Sequence, residues 1–352
     1  MPPARRLRLT WIALAAVTLI GCGTAPAPDA DGPATTTGPS SSAPAPHPEE
    51  QGRLAGGLWL NPDGHGPMAV RQARAEGRDD VADALEPLAG QPTATWITTP
   101  GDPYVDVERI SRTAAEAGQL PVLVAYHAPV RDCRQYSAGG AADIDEYLHW
   151  IGGFAAGLGD RPAVVIVEPD AIPQALAGCE GLDPAQRFEL LFQAVAILDR
   201  QPATRIYLDA GNPRWVSDLP ALADALRRSN IDSADGFSLN VANFVPTEEV
   251  AAFGLALSQE LERDAPPGTP SAHVVIDTSR NGAGPLPDAD DPERWCNPPG
   301  RRLGQPPTTS PGMPRVDALL WIKQPGDSDG TCRGGPPAGS WWPEMAADLV
   351  DG

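Results

Sequence analysis

The sequence is poor in positive charge and lacks the motifs of several enzyme classes. Its 352 residues include 26 Lys and Arg against 46 Asp and Glu, giving a formal net charge of −20. Without a basic stripe to offset phosphate repulsion, nucleic acid is excluded as a partner, and a neutral substrate suits the surface better. The chain has no G-x-S-x-G elbow, and its five histidines show no metal-ligand spacing. We therefore expect neither a serine hydrolase nor a metal or cofactor site.

Cysteine is also scarce, and the first of the five cysteines, Cys22, belongs to an export signal. An arginine-rich start precedes the apolar run Trp11–Ile20, which is too short for a comfortable transmembrane helix. Leu19-Ile20-Gly21-Cys22 resembles the bacterial lipoprotein box; an ordinary signal cleaved elsewhere is the alternative. The prediction is a signal peptide at residues 1–21 and a lipid on Cys22. The exported protein would then be a cell-surface lipoprotein on the outer face of the cytoplasmic membrane, or secreted.

Removing Cys22 leaves an even number of cysteines, which in an exported protein indicates two disulfides. Sequence alone allows three pairings, and we favour the nearest-in-order one. Paired cysteines also disfavour a thiol nucleophile. The four residues are Cys133, Cys179, Cys296 and Cys332.

Residues 22–52 are rich in Pro, Ser, Thr and Ala, which predicts a disordered linker that follows the lipidated cysteine. From residue 53 to 352, strand-like and helical runs alternate, and we see no internal repeat or second core. About eight strands, from Gly57–Leu60 to Leu319–Lys323, predict a parallel α/β fold of the (β/α)₈ barrel type or a variant of it. An open doubly wound sheet is the alternative, weakened by the lack of a Gly-rich dinucleotide fingerprint.

Acidic residues follow the predicted strands. The apolar run Val164–Val167 ends in Glu168-Pro169-Asp170, and Pro169 cannot continue a strand. Asp170 is either a general acid at the rim of an apolar core or the cap of the next helix. A parallel barrel gathers its strand ends on one face, so several carboxyls would meet there and some would titrate upward. That arrangement supplies the acid and base of glycosidic hydrolysis.

Motifs spread over residues 54–350 resemble glycoside hydrolase family 6, the inverting cellulases. They occur in the family's order and are YHAPVRDCRQYSAGG at 126–140, EPDAI at 168–172, YLDAGNPRW at 207–215, GFSLNVANF at 236–244, VIDTSRNG at 275–282, WCNPPGRRLG at 295–304 and WIKQPGDSDGTC at 321–332. The resemblance implies a single catalytic domain with a distorted parallel barrel, in which a cleft at the strand ends cleaves β-1,4-glucan with inversion and without a metal.

The resemblance also implies residue roles. Asp170 matches the general acid, and Asp132 the neighbour that raises its pKa. Asp329 matches the proposed base, which in this family can act through a chain of waters. Tyr126 matches the tyrosine that skews the sugar ring at the cleavage point. The implied substrate-binding residues are Trp96, Asn212, Trp215, Asn240, Trp295, Lys323 and Asp327, the supporting ones are Arg131 and Asp209, and the implied disulfides are Cys133–Cys179 and Cys296–Cys332.

Two positions depart from the family pattern. Asn212 stands where histidine is common, and Asp327 stands where glutamate is common, so Asp327 reaches its sugar hydroxyl less well. The spans between the paired cysteines are short, which predicts an open groove and an endo-acting enzyme. We also expect a monomer. Two alternatives stay open: a sugar-binding lipoprotein without catalysis, and the same mechanism on another β-glucan. The intact Asp132, Asp170 and Asp329 favour an enzyme.

Overall fold

The computed structural model describes residues 53–54, 56–263, 265–266, 268–287 and 290–351. The predicted signal peptide, the lipidated Cys22 and almost all of the predicted linker lie outside these residues. Among the helices that are described, none combines the length and apolar character needed to span a bilayer.

One parallel sheet forms the centre of the fold. Its neighbouring strands follow chain order from β1 to β7, and every pairing is parallel. Just outside the two edge strands, the Ala94 N–H donates to the Trp321 carbonyl at 2.9 Å, so the sheet curls into an incomplete barrel. The predicted distorted parallel barrel is confirmed. The strands are β1 Thr95–Ile97, β2 Val122–Ala125, β3 Ala163–Val167, β4 Thr204–Asp209, β5 Gly236–Leu239, β6 His273–Asp277 and β7 Val316–Leu320.

The prediction of about eight strands was wrong at both ends. The run Gly57–Leu60 forms only an isolated parallel bridge, Leu58 with Leu120, because its backbone exchanges bonds with Leu120 and no further along. The last strand ends at Leu320, three residues before the predicted end. Trp321 and Ile322 are nonetheless buried, so the apolar run continues past the end of the strand.

Helices surround the sheet and begin where capping residues predict. The carboxylates of Asp143, Asp183 and Asp218 each accept a backbone N–H of the first turn of α4, α6 and α7. Pro184 and Pro220 lie in the first turns of α6 and α7, where a backbone N–H would have no acceptor within the helix. The helices are α1 His65–Ala75, α2 Asp79–Ala89, α3 Tyr104–Glu116, α4 Ile144–Leu158, α5 Ala171–Ala177, α6 Pro184–Leu198, α7 Leu219–Arg228, α8 Thr247–Arg263 and α9 Pro343–Asp351.

The sheet is buried on both faces, so its strands read as continuous apolar runs. In β3, Val165 and Val167 pack outward with the helices, while Val164 and Ile166 pack into the barrel interior. All five β3 residues are at most 1% exposed. This core fixes the polarity of the barrel, with every strand running toward the same rim.

The amino-terminal rim carries a polar network around the start of the described chain. An Arg53 guanidinium nitrogen lies 3.8 Å from Asp235, and another lies 3.9 Å from Asp317. Asp235 directly precedes β5, and Asp317 lies at the start of β7. The chain therefore enters the barrel at its amino-terminal rim.

Candidate active site

A cleft of about 1530 Å³ lies at the carboxyl-terminal rim of the sheet. Most of the sequence-predicted site residues line it together, although they come from separate segments of the chain. Those that line the cleft are Trp96, Tyr126, Arg131, Asp132, Asp170, Asn212, Trp215, Trp295, Lys323, Asp327 and Asp329. Asp209 and Asn240 are buried beside the cleft and are not part of its lining.

Asp170 occupies the residue before α5, but its side chain does not cap that helix. Its backbone has φ of +70°, in the left-handed region, and its N–H donates to the Asp209 carboxylate at 2.9 Å. Burial raises the pKa of Asp170 well above its usual value, and the neighbouring carboxylates of Asp209 and Asp132 raise it further. A carboxyl with a raised pKa keeps its proton to higher pH than an ordinary aspartate, which suits a general acid.

Asp132 lies on a strained loop that follows β2. Val130, Asp132, Cys133 and Arg134 all have φ between 47° and 64°, which is unfavourable for residues with a Cβ. The Asp132 carboxylate accepts the Ser137 N–H at 2.7 Å, and burial raises its pKa. Such strain persists only where the surrounding contacts hold the backbone in place, and it is concentrated at functional sites.

Asp329 is a buried carboxylate between two cations. One oxygen accepts from Arg280 at 2.9 Å and from the Asn297 N–H at 2.9 Å, and the other lies 3.1 Å from the Lys323 ammonium. Burial acts to raise its pKa, but the charges of Arg280 and Lys323 outweigh burial and lower it. Asp329 is thus ionised at working pH. With both oxygens engaged it is a weak direct proton acceptor, which favours a base route through water.

Two disulfides hold the loops that bear these carboxylates. Cys133 bonds Cys179 and Cys296 bonds Cys332, with Cα atoms 5.7 and 6.3 Å apart. The nearest-in-order pairing is confirmed. One bridge follows Asp132 directly, and the other lies three residues after Asp329, so each restricts a loop with a site carboxylate.

Tyr126 and Trp96 form an aromatic corner in the cleft. Their rings meet edge to face with centroids 5.1 Å apart, and the Trp96 indole N–H donates to the Ile322 carbonyl at 2.8 Å. The Arg131 guanidinium lies 4.9 Å from the Tyr126 ring centre. It also donates to the carbonyls of Tyr126 and Ser137 at 2.8 Å. Arg131 therefore holds the loop and the tyrosine ring together.

Trp215 and Trp295 both line the cleft, and neither is fully buried. Trp215 is 39% exposed, and Trp295 lies 6.0 Å from the Tyr136 ring. In contrast, Trp150 is buried and stacks on His127. The two cleft tryptophans are thus free to stack on sugar rings.

The two predicted asparagines occupy different environments. Asn212 lines the cleft, although it is 3% exposed and its side-chain oxygen accepts the Arg214 N–H. Asn240 is fully buried, and its amide donates to the carbonyls of Val245 and Asp277. Asn240 therefore shapes the loop behind the cleft, and its amide is engaged with backbone carbonyls.

Three buried carboxylates link neighbouring strand-end loops, and sequence reasoning found only one of them, Asp209. Glu168 accepts the N–H groups of His127 and Ala128 in the loop after β2, each at 2.9 Å. Asp209 accepts the Asp170 N–H, and Asp277 accepts those of Ala242 and Lys323. Glu168 and Asp277 follow the strand-end rule that identified Asp170, so their positions carried a readable signal.

The pKa of Glu168 predicts a pH-dependent stability. Burial raises it from 4.5 to about 6, so the folded protein binds this proton more tightly than the unfolded chain. Its contribution of about 2 kcal/mol is present below pH 4.5 and lost as pH rises through 6. We expect Tm to rise as pH falls from 7.5 to 5, and Glu168→Gln to reduce that slope. Scanning calorimetry at each pH measures Tm for both proteins.

Glu189 is exposed, so Glu189→Gln is the matched control. It removes one negative charge from a strongly negative protein, as Glu168→Gln does, and should keep the wild-type dependence of Tm on pH. Equal slopes in wild type and Glu168→Gln would contradict the assigned pKa.

Arg280 and His65 were also missed among the candidate residues. Arg280 is 1% exposed beneath Asp329, and His65 contacts Asp327 on the cleft wall. In the part of the chain that the structure describes, no three His, Cys, Asp or Glu side chains are arranged to hold a metal ion.

The cleft is lined by aromatic side chains and holds one carboxyl with a raised pKa and one with a lowered pKa. This combination defines a carbohydrate-cleaving enzyme, a glycoside hydrolase. The family model described as Glycosyl hydrolases family 6 matches residues 55–352, and the chain belongs to this family. Its fold and enzyme class agree with the expectation from the motifs.

Relatives of known activity are similar over most of the domain. Endoglucanase 1 of Streptomyces halstedii is 40% identical over 308 residues, which cover 85% of this chain and 90% of that protein. Endoglucanase 1 of Streptomyces sp. strain KSM-9 is 40% identical over 274 residues, which cover 76% of this chain and 71% of that protein. A solved structure is also similar, that of the endoglucanase Cel6 from Mycobacterium tuberculosis in complex with methyl-cellobiosyl-4-deoxy-4-thio-β-D-cellobioside. It is 42% identical with a TM-score of 0.75, and the match covers 84% of this chain and 96% of that chain.

Proposed function

We propose that the protein is an endo-acting cellulase that hydrolyses β-1,4-glucosidic bonds of cellulose or soluble β-glucan with inversion. The observation that carries this proposal is that the buried Asp170 carboxyl, beside Asp209 and Asp132, lines the same cleft as the Asp329 carboxylate, which is held between Arg280 and Lys323. The endoglucanases among its relatives support an endo-acting enzyme on a glucan.

In the proposed mechanism, Asp170 donates its proton to the glycosidic oxygen as the leaving sugar departs. Asp132 lies close enough for its negative charge to keep Asp170 protonated until the bond breaks. Tyr126 supports the distorted ring, and stacked tryptophans hold the neighbouring rings. Water attacks the opposite face of the anomeric carbon and passes its proton toward Asp329. Inversion requires enough space between Asp329 and the acid to hold that water.

Two alternatives were open from the sequence. A sugar-binding protein without catalysis has no need for a buried acid held protonated beside other carboxyls, so the site favours catalysis. The same mechanism on another β-glucan uses the same residues, and a product screen on several β-glucans separates it from cellulase activity.

The expected result on soluble carboxymethyl cellulose is a steep fall in viscosity with few reducing ends released. An endo-acting enzyme cuts the chain internally, so each early cut shortens the polymer strongly. Viscometry with parallel reducing-sugar measurement tests this, and Asp170→Ala serves as the inactive control. A slow viscosity loss with steady cellobiose release would instead indicate an exo-acting enzyme, and equal activity in Asp170→Ala would remove the proposed acid.

We further propose that the catalytic domain spans residues 53–352 and that the protein is exported, lipidated on Cys22 and monomeric. The two disulfides support an oxidising compartment. Residues 1–52, which include the lipoprotein-like box, lie outside the described part of the chain. Mass spectrometry of the mature amino terminus tests the lipid, and light scattering tests the monomer.

A further inference from the structure

His65 and Asp327 meet on the wall of the cleft, although 262 residues separate them in sequence. The His65 Nδ1 lies 2.7 Å from an Asp327 carboxylate oxygen. The Asp327 side chain is 9% exposed and the His65 side chain 36% exposed. The imidazole thus covers the carboxylate partly and shares its access to the cleft.

Asp327 is held rigidly in this position. Its backbone pairs with Trp341 in an antiparallel bridge, and its N–H donates to the Gln324 carbonyl at 3.1 Å. Trp341 packs so closely on Gly326 that a Cβ there would lie 2.5 Å from the indole. The Asp327 carboxylate is therefore fixed before any substrate arrives, which lowers the entropic cost of using it in binding.

His65 has one ring nitrogen left for another partner. Its Nδ1 faces Asp327, and the hydrogen bond that it makes to the Asp327 carboxylate raises the pKa of His65. The carboxylate also offsets the unfavourable position of an imidazolium at the first residue of α1. Among the described residues, Nε2 has no protein partner, and the ring lines the cleft.

We propose that His65 is a substrate-binding residue. Its Nε2 forms a hydrogen bond with a glucosyl hydroxyl, while the adjacent Asp327 oxygen accepts one from a hydroxyl of the same ring. Neighbouring hydroxyls of a glucose unit offer both a donor and an acceptor, so the pair matches the chemistry of the sugar edge. Asp327 is one methylene shorter than glutamate, and the imidazole lies directly against its carboxylate. This inference rests on the proposed function because it assumes a glucan in the cleft.

His65→Phe preserves the ring shape and removes both nitrogens. We expect KM for cellotetraose to rise about tenfold, which corresponds to the loss of one hydrogen bond, with kcat changing less than about threefold. His65→Gln keeps an N–H donor and should restore part of the affinity. An unchanged KM in His65→Phe would overturn the proposal, as would a loss confined to kcat with a matching fall in Tm.

A double-mutant cycle separates direct contact from an effect through Asp327. If Nε2 binds the sugar, His65→Phe still raises KM several-fold in an Asp327→Asn protein; if His65 only holds Asp327, the effect disappears and the proposal is wrong. Calorimetric titration of cellotetraose into Asp170→Asn proteins, with and without His65→Phe, measures binding without hydrolysis. If His65→Phe weakens binding of cellotetraose in the Asp170→Asn protein while the wild type cleaves no glucan, the proposed function is rejected and the contact of His65 with the sugar is supported.

Discussion

Asp170→Asn is expected to lower kcat on soluble cellulose by about 10²–10⁴-fold, with a much smaller effect on KM. Asparagine has nearly the same shape but no proton to donate to the leaving oxygen. The backbone N–H of residue 170, which donates to Asp209, is retained, so the loop should keep its position. Steady-state kinetics on carboxymethyl cellulose and cellotetraose measure the effect, and an unchanged Tm shows that the fold is intact.

An activated substrate provides the matched control for this variant. A dinitrophenyl cello-oligosaccharide has a leaving group that departs without protonation, so Asp170→Asn should hydrolyse it at a rate much closer to that of the wild type. If both substrates lose activity equally, Asp170 does not serve as the acid. The wild-type rate on cellulose should also fall as pH rises through the raised pKa of Asp170, because the protonated form is then lost.

Arg280→Met is expected to destabilise the protein by about 3–5 kcal/mol, because it leaves the buried Asp329 carboxylate with one cation fewer. Arg280 is 1% exposed, donates to Asp329 at 2.9 Å and lies 4.7 Å from the Phe244 ring centre. For a domain of this size the loss corresponds to a fall in Tm of roughly 10 °C. The pKa of Asp329 should rise with it, shifting the acidic limb of the activity profile to higher pH.

The exposed Arg112 offers a comparison of equal chemistry. It pairs with Glu108 and Glu116 on the surface of α3, with its side chain 48% exposed. Arg112→Met should change stability by less than about 1 kcal/mol. Denaturant unfolding of both variants tests the difference. Equal losses would show that burial around Asp329 does not make its ion pair more important than a surface pair.

The apolar strands and the acidic residues that follow them could be predicted from the sequence because both are local properties. The run Val164–Val167 reads as a strand buried on both faces, and the parallel barrel then brings its end close to the ends bearing Asp132 and Asp329. The same logic leads to Glu168 and Asp277. A strand-end carboxyl that binds backbone N–H groups and one that faces a cleft have the same sequence signal.

Contacts that join distant segments could not be predicted in this way. His65 is the first residue of an ordinary amphipathic helix, and nothing near it in the chain indicates Asp327. Arg280 lies in a motif whose pattern shows a cation after a strand, without showing that it is buried under a carboxylate. The resemblance implies that Asn240 binds sugar, whereas its φ of +67° and its buried amide, which form a turn, are seen only in the folded loop.

The contacts of Arg53 with Asp235 and Asp317 determine how the enzyme can be immobilised. They fix the entry of the chain at the amino-terminal rim, whereas the cleft opens at the carboxyl-terminal rim. A support, carrier protein or surface attached upstream of residue 53 therefore joins the domain on the side remote from the polymer. Coupling through the amino terminus should leave a long glucan chain free to slide into the groove, while attachment near Tyr136 or Trp295 would obstruct it.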